Sequence, residues 1–511
     1  MRALLSVYDK TGLDGLAKGL DELGFELVAS GGTAAALAEL GLPVTPVEDV
    51  TEFPELLGGR VKTLHPRIHA GILARRGLED DVATIAKHGI EPIDLVCVNL
   101  YPFEQVAGRR DSTEAETIEM IDIGGPSLLR AAAKNHEHVV ALCSPDDYDE
   151  VLRELRAREG GLSVETRRRL AAVAFARTAA YDAAVAAWFG ESEPFPEQLM
   201  PVFEKEVELA YGENPHQGAA YYSERGARTH LLARVEQLHG RELSFNNLND
   251  LNAARLLVRE FTLPACVIVK HANPCGVAVG ASIDEAYECA LAADPLSAYG
   301  GVVVLNRAVT ATLGRRLAEQ FVEVLFAPGY DATALEALVQ KPATRILNDL
   351  ERRTGAASER DFKRVLGGLL VQDRDWDVAD RAGMEVVCGG PGETEWGDLL
   401  FAWRVCKHVA SNAIVLVKDL QTIGIGAGQM SRVDAVRIAV EKAREHGHSL
   451  DGAALASDAF FPFPDGPRLA LDAGVTALIQ PGGSKRDEDV VAAVEKAGGA
   501  MVFTHRRHFR H

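Results

Sequence analysis

Residues 4–33 read LLSVYDKTGLDGLAKGLDELGFELVASGGT. The run from Leu4 to Tyr8 is short and mostly apolar, which predicts a strand. Leu13, Leu16, Ala17, Leu20 and Leu23 then follow an i, i+3, i+4, i+7 spacing, the pattern of a helix that buries one face. Glu26 to Ser30 returns to strand character, and Asp94 to Asn99 and Val139 to Ser144 read as further strands of the same sheet. Strands alternating with helices predict an α/β architecture with mainly parallel sheets. The segment Gly190 to Pro201, rich in proline and glutamate, marks a boundary between a domain over 1–195 and a second region over 202–511.

The chain has 511 residues, 47% of them hydrophobic and 25% charged, enough for roughly two to four domains with substantial cores. A net charge of −20 with no long basic run opposes binding to nucleic acid. A small phosphorylated ligand remains compatible, because screening limits the repulsive field to roughly 8–10 Å. Seven cysteines without a CxxC pair fit a reducing compartment, and the N-terminus lacks an apolar signal core, so a cytoplasmic location is expected. The Ala-rich run Ala171 to Phe189 is interrupted by Arg177 and Asp182, and reads as a packed helix rather than a membrane span.

The second region contains an echo. Val267-Ile268-Val269-Lys270 is followed by Gly276, and Val415-Leu416-Val417-Lys418 is followed at the same spacing by Gly424. Two related α/β units would produce this; so would two chance strand–turn–strand segments.

Candidate chemistry begins at Ser30-Gly31-Gly32-Thr33, between a strand and a helix. Glycine backbone N–H groups, two hydroxyls and a helix N-terminus make a phosphate cradle, although a capped turn has the same composition. Lys10, after the first strand, reaches the same sheet edge, where open parallel sheets bind ligands. In Gly59-Arg60-Val61-Lys62-Thr63-Leu64-His65-Pro66, the two cations stand two apart and would share one face if extended. Tyr101 follows a buried-looking strand, and Asp122-Ile123-Gly124-Gly125-Pro126 opens a helix carrying Arg130 and Lys134 four residues apart.

These motifs, in order, resemble the inosine monophosphate cyclohydrolase domain of the bifunctional AICAR transformylase/cyclohydrolase family. The resemblance continues through Tyr211-Gly212-Glu213-Asn214-Pro215-His216-Gln217, Lys270-His271-Ala272-Asn273-Pro274-Cys275-Gly276, Ile423 to Gln429, Ser457 to Phe463 and Arg507-His508-Phe509, and covers essentially the whole chain. It implies a methylglyoxal-synthase-like first domain followed by two cytidine-deaminase-like units. It also implies a homodimer with shared transformylase sites, acting on AICAR, FAICAR, IMP and 10-formyltetrahydrofolate. The His-x-Glu and Pro-Cys-x-x-Cys pattern of zinc deaminases is missing, so no catalytic metal is expected; a structural monovalent cation would leave no trace in sequence.

Formyl transfer needs a base for a weakly nucleophilic amine and a stabiliser for the tetrahedral oxyanion. His271 suits the proton task, since imidazole titrates near neutrality. By resemblance Lys270 stabilises the transition state and Asn412 assists at the formyl group. Tyr211, Asn247, Tyr299, Gly300 and Glu323 resemble substrate-site positions, as do Arg432, Phe461, Arg507 and Phe509. Ring closure is intramolecular, so proximity does much of the work. The resemblance gives Lys62, Tyr101, Asp122 and Lys134 the polarising and proton-handling roles. Ser6, Lys10, Ser30, Gly32, Thr33, Arg60 and Thr63 resemble the nucleotide-binding set.

Three positions depart from the family pattern: Tyr8 stands where serine is common, Ala210 replaces an expected arginine, and Glu323 stands in place of aspartate. Two other functions compete: a methylglyoxal-synthase-like lyase, which needs only the first domain, and a nucleotide-binding regulatory module, which needs no Lys270, His271 or Asn412. Neither would consume a formyl donor.

Overall fold

The computed structural model describes residues 1–191, 193–227, 229–351 and 359–511; Ser192, in the predicted boundary segment, lies outside them. The chain divides into two compact units, Met1–Val202 and Phe203–His511.

The first unit holds a five-stranded sheet of β1 (Arg2–Val7), β2 (Glu26–Ala29), β3 (Val44–Pro46), β4 (Leu95–Asn99) and β5 (Val140–Leu142), in the order β3-β2-β1-β4-β5. Every pairing is parallel. Side chains alternate across a strand, so Leu5, Leu27 and Leu95 enter the core that takes Leu13, Leu16 and Leu20 of helix Leu13–Glu22. Leu4, Val28 and Val96 face the opposite core, with Leu128 and Leu129 of helix Gly124–Lys134. Sequence periodicity thus becomes a sheet covered on both faces, as parallel sheets require. Helix Val164–Phe189 is long and apolar enough to cross a membrane, yet it packs on helix Gly124–Lys134 and buries Leu170, Ala171, Ala174 and Tyr181.

The second unit opens with an antiparallel ribbon of β6 (Phe203–Leu209) and β7 (Ala219–Glu224). Its first half then runs through β8 (Val235–His239), β9 (Ala265–Lys270), β10 (Asn273–Val279), β11 (Val302–Leu305), β12 (Val324–Ala327) and β13 (Arg345–Asp349). A second ribbon, β14 (Arg360–Val365) with β15 (Gly368–Asp373), leads to β16 (Glu385–Cys388), β17 (Ile414–Lys418) and β18 (Gln421–Gly426). β19 (Ala453–Ser457), β20 (Val475–Gln480) and β21 (Ala500–Phe503) complete the chain. One sheet joins both halves in the order β8-β13-β12-β11-β9-β10-β18-β17-β19-β20-β21-β16. Read inward from either edge, the two halves have the same strand order, which is the echo seen in sequence.

Mainly parallel sheets are found in the first unit only. In the second, β11-β12-β13 and β19-β20-β21 are parallel, while the hairpins β9-β10 and β17-β18 and both edge strands are antiparallel. The cause is local: two residues link β9 to β10 and β17 to β18, and a two-residue connection allows only an antiparallel neighbour. The loop residues, His271 and Ala272 in one hairpin and Asp419 and Leu420 in the other, all have positive φ. Gly276 and Gly424 mark the other constraint. A Cβ at Gly276 would stand 1.9 Å from the Ala290 carbonyl oxygen, and one at Gly424 2.1 Å from that of Ala439, so each helix lies directly on its strand.

Candidate active sites

In the first unit the candidates gather where β1 and β2 end. Lys10 Nζ donates to the carbonyls of Val7 and Tyr8 and lies 3.5 Å from Thr33 Oγ1. Thr33 is used structurally: its hydroxyl donates to Val7 O at 3.0 Å and accepts from Val7 N at 3.1 Å, tying helix Gly31–Glu39 to β1. Ser30 occupies the N-cap without a capping bond from its side chain, and Gly32 lies in the helix's first turn. Ser6 pairs with Val98 inside the sheet.

Lys62 lies over that helix start, its Nζ 3.2 Å from the Cβ position of Gly31 and 3.3 Å from Glu55 Oε2. Thr63 Oγ1 lies 3.0 Å from the Cβ position of Gly124, at the start of helix Gly124–Lys134. Two helix N-termini therefore flank Lys62 and Thr63, a positive setting suited to phosphate. Asp122 accepts at 2.8 Å from Gly125 N and also from the backbone N–H of Tyr101. Its own N–H donates to Tyr181 Oη at 2.8 Å, and that hydroxyl donates to Met120 O at 2.6 Å. Burial raises the Asp122 carboxyl above its ordinary range, with the two backbone N–H groups opposing. Tyr101 is exposed and meets Tyr8 edge-on at 5.7 Å, so the bulkier residue at position 8 forms part of the wall.

Two candidates depart from this grouping. Arg60 and Lys62 do not share a face: Leu57–Gly59 forms a 3-10 turn, Leu56 bridges Val61, and Arg60 turns to solvent to pair with Glu119. Lys134 occupies the last turn of an 11-residue helix whose first turn adjoins Asp122. At 1.5 Å per residue that is about 15 Å along the axis, so the chain does not bring Lys134 to Lys62 and Asp122.

In the second unit Lys270 ends β9, His271 begins the turn after it, and the two side chains diverge. Lys270 Nζ donates to Tyr299 O at 2.8 Å, while His271 is exposed at the hairpin tip. Asp250 holds the tip, accepting from His271 N at 3.2 Å and Ala272 N at 2.7 Å, and burial pushes its carboxyl above the ordinary range. Asn273 Nδ2 donates to His271 O at 3.2 Å, and its Oδ1 accepts from Ala410 N at 2.9 Å. Asn412 follows nearby, donating from Nδ2 to Gln429 O at 2.8 Å and accepting at Oδ1 from Arg432 Nη2 at 2.6 Å. Arg432 is buried, ion-paired with the fully buried Asp458, and donates to Ser457 Oγ at 2.7 Å.

A second set of candidates includes Tyr299, whose carbonyl Lys270 reaches. Asn247 Nδ2 donates to Glu323 Oε1 at 2.9 Å, and Arg345 Nη1 stands 3.6 Å from the same oxygen. Gly300 N donates to Phe321 O at 2.9 Å with φ +70°, and exposed Tyr299 lies 5.5 Å from the Phe321 ring. Tyr211 O accepts from Phe245 N at 3.2 Å, and Ala210 N donates to Leu243 O at 3.2 Å. In the C-terminal segment the Arg507 guanidinium lies 4.7 Å from the exposed Phe509 ring. Phe461 differs: its ring is buried in the core of the second half and its N–H donates to Gln480 Oε1 at 3.1 Å, while Phe460 and Phe463 are exposed.

Sequence reading missed Asp250, Arg345, Gln429 and Asp458. Each acts on a residue distant in the chain, and only Gln429 and Asp458, inside motifs quoted above, carried a signal.

The chain matches the family model described as AICARFT/IMPCHase bienzyme over residues 132–442 and that of the MGS-like domain over residues 12–127. It is 51% identical over 522 residues to the bifunctional purine biosynthesis protein PurH of Xylella fastidiosa (strain 9a5c), covering 100% of this chain and 98% of that one. The protein of the same description from Magnetococcus marinus is 50% identical over 527 residues, covering 100% and 99%. That from Bacillus cereus (strain AH187) is 50% identical over 514 residues, also covering 100% and 99%.

Proposed function

Because the chain belongs to the AICARFT/IMPCHase bienzyme family, and so transfers a formyl group to AICAR and cyclises the product to IMP, we propose that each unit carries one reaction. Formyl transfer in purine synthesis implies a folate-type cosubstrate. In this reading 10-formyltetrahydrofolate is that cosubstrate, and Phe203–His511 is the formyltransferase.

His271 takes the proton from the AICAR amine as the nitrogen attacks the formyl carbon. Lys270 and Asn412 stabilise the oxyanion that forms there. Arg432 fixes the orientation of Asn412, since its Nη2 claims the amide oxygen. Tyr211, Asn247, Tyr299, Gly300, Glu323, Arg507 and Phe509 surround the substrates. Phe461 supports the site from the core. The observation that carries this reading is that Asn273, two residues after His271, is hydrogen-bonded to Ala410, two residues before Asn412.

Met1–Val202 is the cyclohydrolase. Lys62 and Tyr101 polarise the formyl oxygen, and Asp122 handles protons as the carboxamide nitrogen closes the ring and water leaves. Ser6, Lys10, Ser30, Gly32, Thr33 and Thr63 hold the nucleotide, and Arg60, which pairs with Glu119 at the surface, joins that set on the family resemblance alone. The role of Lys134 rests on the family resemblance alone. The protein works in the cytoplasm as a homodimer with shared transformylase sites; neither reaction calls on a catalytic metal, and a monovalent cation would serve structure only.

His271→Ala tests the division. Tetrahydrofolate release is expected to fall by about 10²- to 10⁴-fold, the contribution of a general base, while cyclisation of supplied FAICAR persists. Comparable loss of both activities in a folded variant would overturn it.

A further inference from the structure

The duplication supplies an internal comparison for the turn that carries His271. In both copies the lysine ending the first hairpin strand donates to a backbone carbonyl, Lys270 to Tyr299 O at 2.8 Å and Lys418 to Asp451 O at 2.7 Å. In both, a carboxylate accepts the two turn N–H groups: Asp250 in the first, and Asp398, at 3.0 and 2.8 Å, in the second. Features shared by both copies are what the hairpin requires. Features found in one copy need another reason.

Two such differences stand out. The first turn residue is His271 in one copy and Asp419 in the other. The carbonyl of the second turn residue also finds a different partner: Leu420 O accepts from the backbone N–H of Val279 at 3.1 Å, whereas Ala272 O accepts from Arg510 Nη1 at 3.2 Å. The same Nη1 donates to His408 O. One guanidinium therefore spans the His271 turn and the segment leading to Asn412.

Arg510 is held for this task. His508 N donates to Asp458 O at 3.0 Å and Ser411 N donates to Arg510 O at 2.9 Å, so the C-terminal segment is pinned beside Ser411 and Asp458. Exposure alternates along it: His508 is buried and Arg510 half-buried, while Arg507 and Phe509 are exposed. That alternation is what an extended segment produces.

We propose that Arg510 is a positioning residue for formyl transfer, its guanidinium locking the His271 turn in register with the Asn412 segment. It acts through backbone carbonyls and does not touch the substrates. Lysine cannot replace it fully, because Nη1 alone reaches both carbonyls and an ammonium, carried on a shorter side chain, lies nearer the backbone than that nitrogen. The inference rests on the assignment of His271 and Asn412 to formyl transfer.

The test uses the full-length enzyme with Arg510→Ala, Arg510→Lys, His271→Ala and the double variant His271→Ala/Arg510→Ala. Arg510→Ala is expected to lower formyl-transfer kcat by about 10- to 100-fold, the scale of a misplaced reacting group. KM for AICAR and the cyclisation rate should stay near wild type, and added guanidinium should restore part of kcat. The double variant should be no slower than His271→Ala, because residues acting as one unit are not additive. Wild-type kcat in Arg510→Ala, a loss confined to KM, or full additivity in the double variant would overturn the proposal. Should the alanine variant prove unstable, Arg510→Lys decides on the same terms: reduced kcat at unchanged KM supports the role, and wild-type kcat refutes it. Formyl transfer retained by His271→Ala would overturn the site assignment instead, whatever Arg510 does.

Discussion

Asp250→Asn and Asp398→Asn form a matched pair, because each carboxylate accepts two backbone N–H groups at the tip of a duplicated hairpin. Asparagine keeps one acceptor and turns a donor toward the other N–H, so one charge-assisted bond is lost in each variant. Such bonds contribute about 1.5–3 kcal/mol. Burial raises both carboxyls, so removing the charge returns part of that, and a net loss of about 1–2 kcal/mol is expected in each. Each turn also holds two non-glycine residues in the left-handed region, at roughly 1–2 kcal/mol apiece. The lost bond is thus comparable to the conformational cost that it offsets, and the tip loosens. Loosening matters for catalysis only where the tip carries His271. Asp250→Asn should therefore lower formyl-transfer kcat by up to about 100-fold, the scale of a 1 Å misplacement. Asp398→Asn should lose similar stability and keep its activity. Urea unfolding followed by tryptophan fluorescence, together with tetrahydrofolate release, measures both quantities. An equal fall in kcat for the two variants, or wild-type kcat in Asp250→Asn, would refute the reasoning.

In the first unit, burial raises the Asp122 carboxyl above 3.8, so on acidification it protonates at higher pH than an ordinary aspartate. Cyclisation should fall with it, and Asp122→Asn should lower the rate by about 10²- to 10⁴-fold and flatten its acid limb; an unchanged limb would remove Asp122 from the chemistry. Gly276→Ala places a methyl 1.9 Å from the Ala290 carbonyl oxygen, and overpacking of this kind costs about 1–3 kcal/mol. A thermal midpoint equal to wild type would contradict the close approach. Ala210→Arg restores the cation that the family pattern leads one to expect, and a charge-assisted bond of about 1.5–3 kcal/mol corresponds to roughly 10- to 100-fold tighter binding of ribonucleotide or folate. Unchanged or weaker affinity for both, by calorimetric titration, would show that this position no longer binds an anion.

The parts legible in sequence were those written in local periodicity. Leu13, Leu16, Ala17 and Leu20 define one face of a helix and are buried as their spacing requires. The paired Val-rich strands with Gly276 and Gly424 gave away the duplication, because a glycine under a crossing helix is needed in each copy. The antiparallel connections of the second sheet were not legible, since His271-Ala272 and Asp419-Leu420 contain no glycine to announce a two-residue turn. The Arg60–Lys62 geometry failed for a related reason: alternation holds only in extended chain, and Arg60, directly after the 3-10 turn Leu57–Gly59, has helical rather than extended backbone angles. Residues such as Asp250 and Arg510 were hidden because their partners are backbone groups, which any sequence supplies and none reveals.

Because β10 and β18 pair at the centre of the twelve-stranded sheet, the two hairpin copies meet there, and a site built at that seam draws one set of groups from each half. His271 comes from the first copy, and Asn412 and Arg432 from the second. The copies are free to diverge at the seam while the sheet that carries them stays the same. In the second copy Asp419 occupies the position of His271. A carboxylate is intrinsically a weaker base than an imidazole, so Asp419 does not stand in for His271. Restoring imidazole by Asp419→His would still leave that turn without the link from Ala272 through Arg510 to His408, because Leu420 O is already engaged by Val279 N. The asymmetry of the duplicated region is therefore one of support as well as of the side chain proposed for catalysis, and the C-terminal segment supplies the part that the second copy lacks.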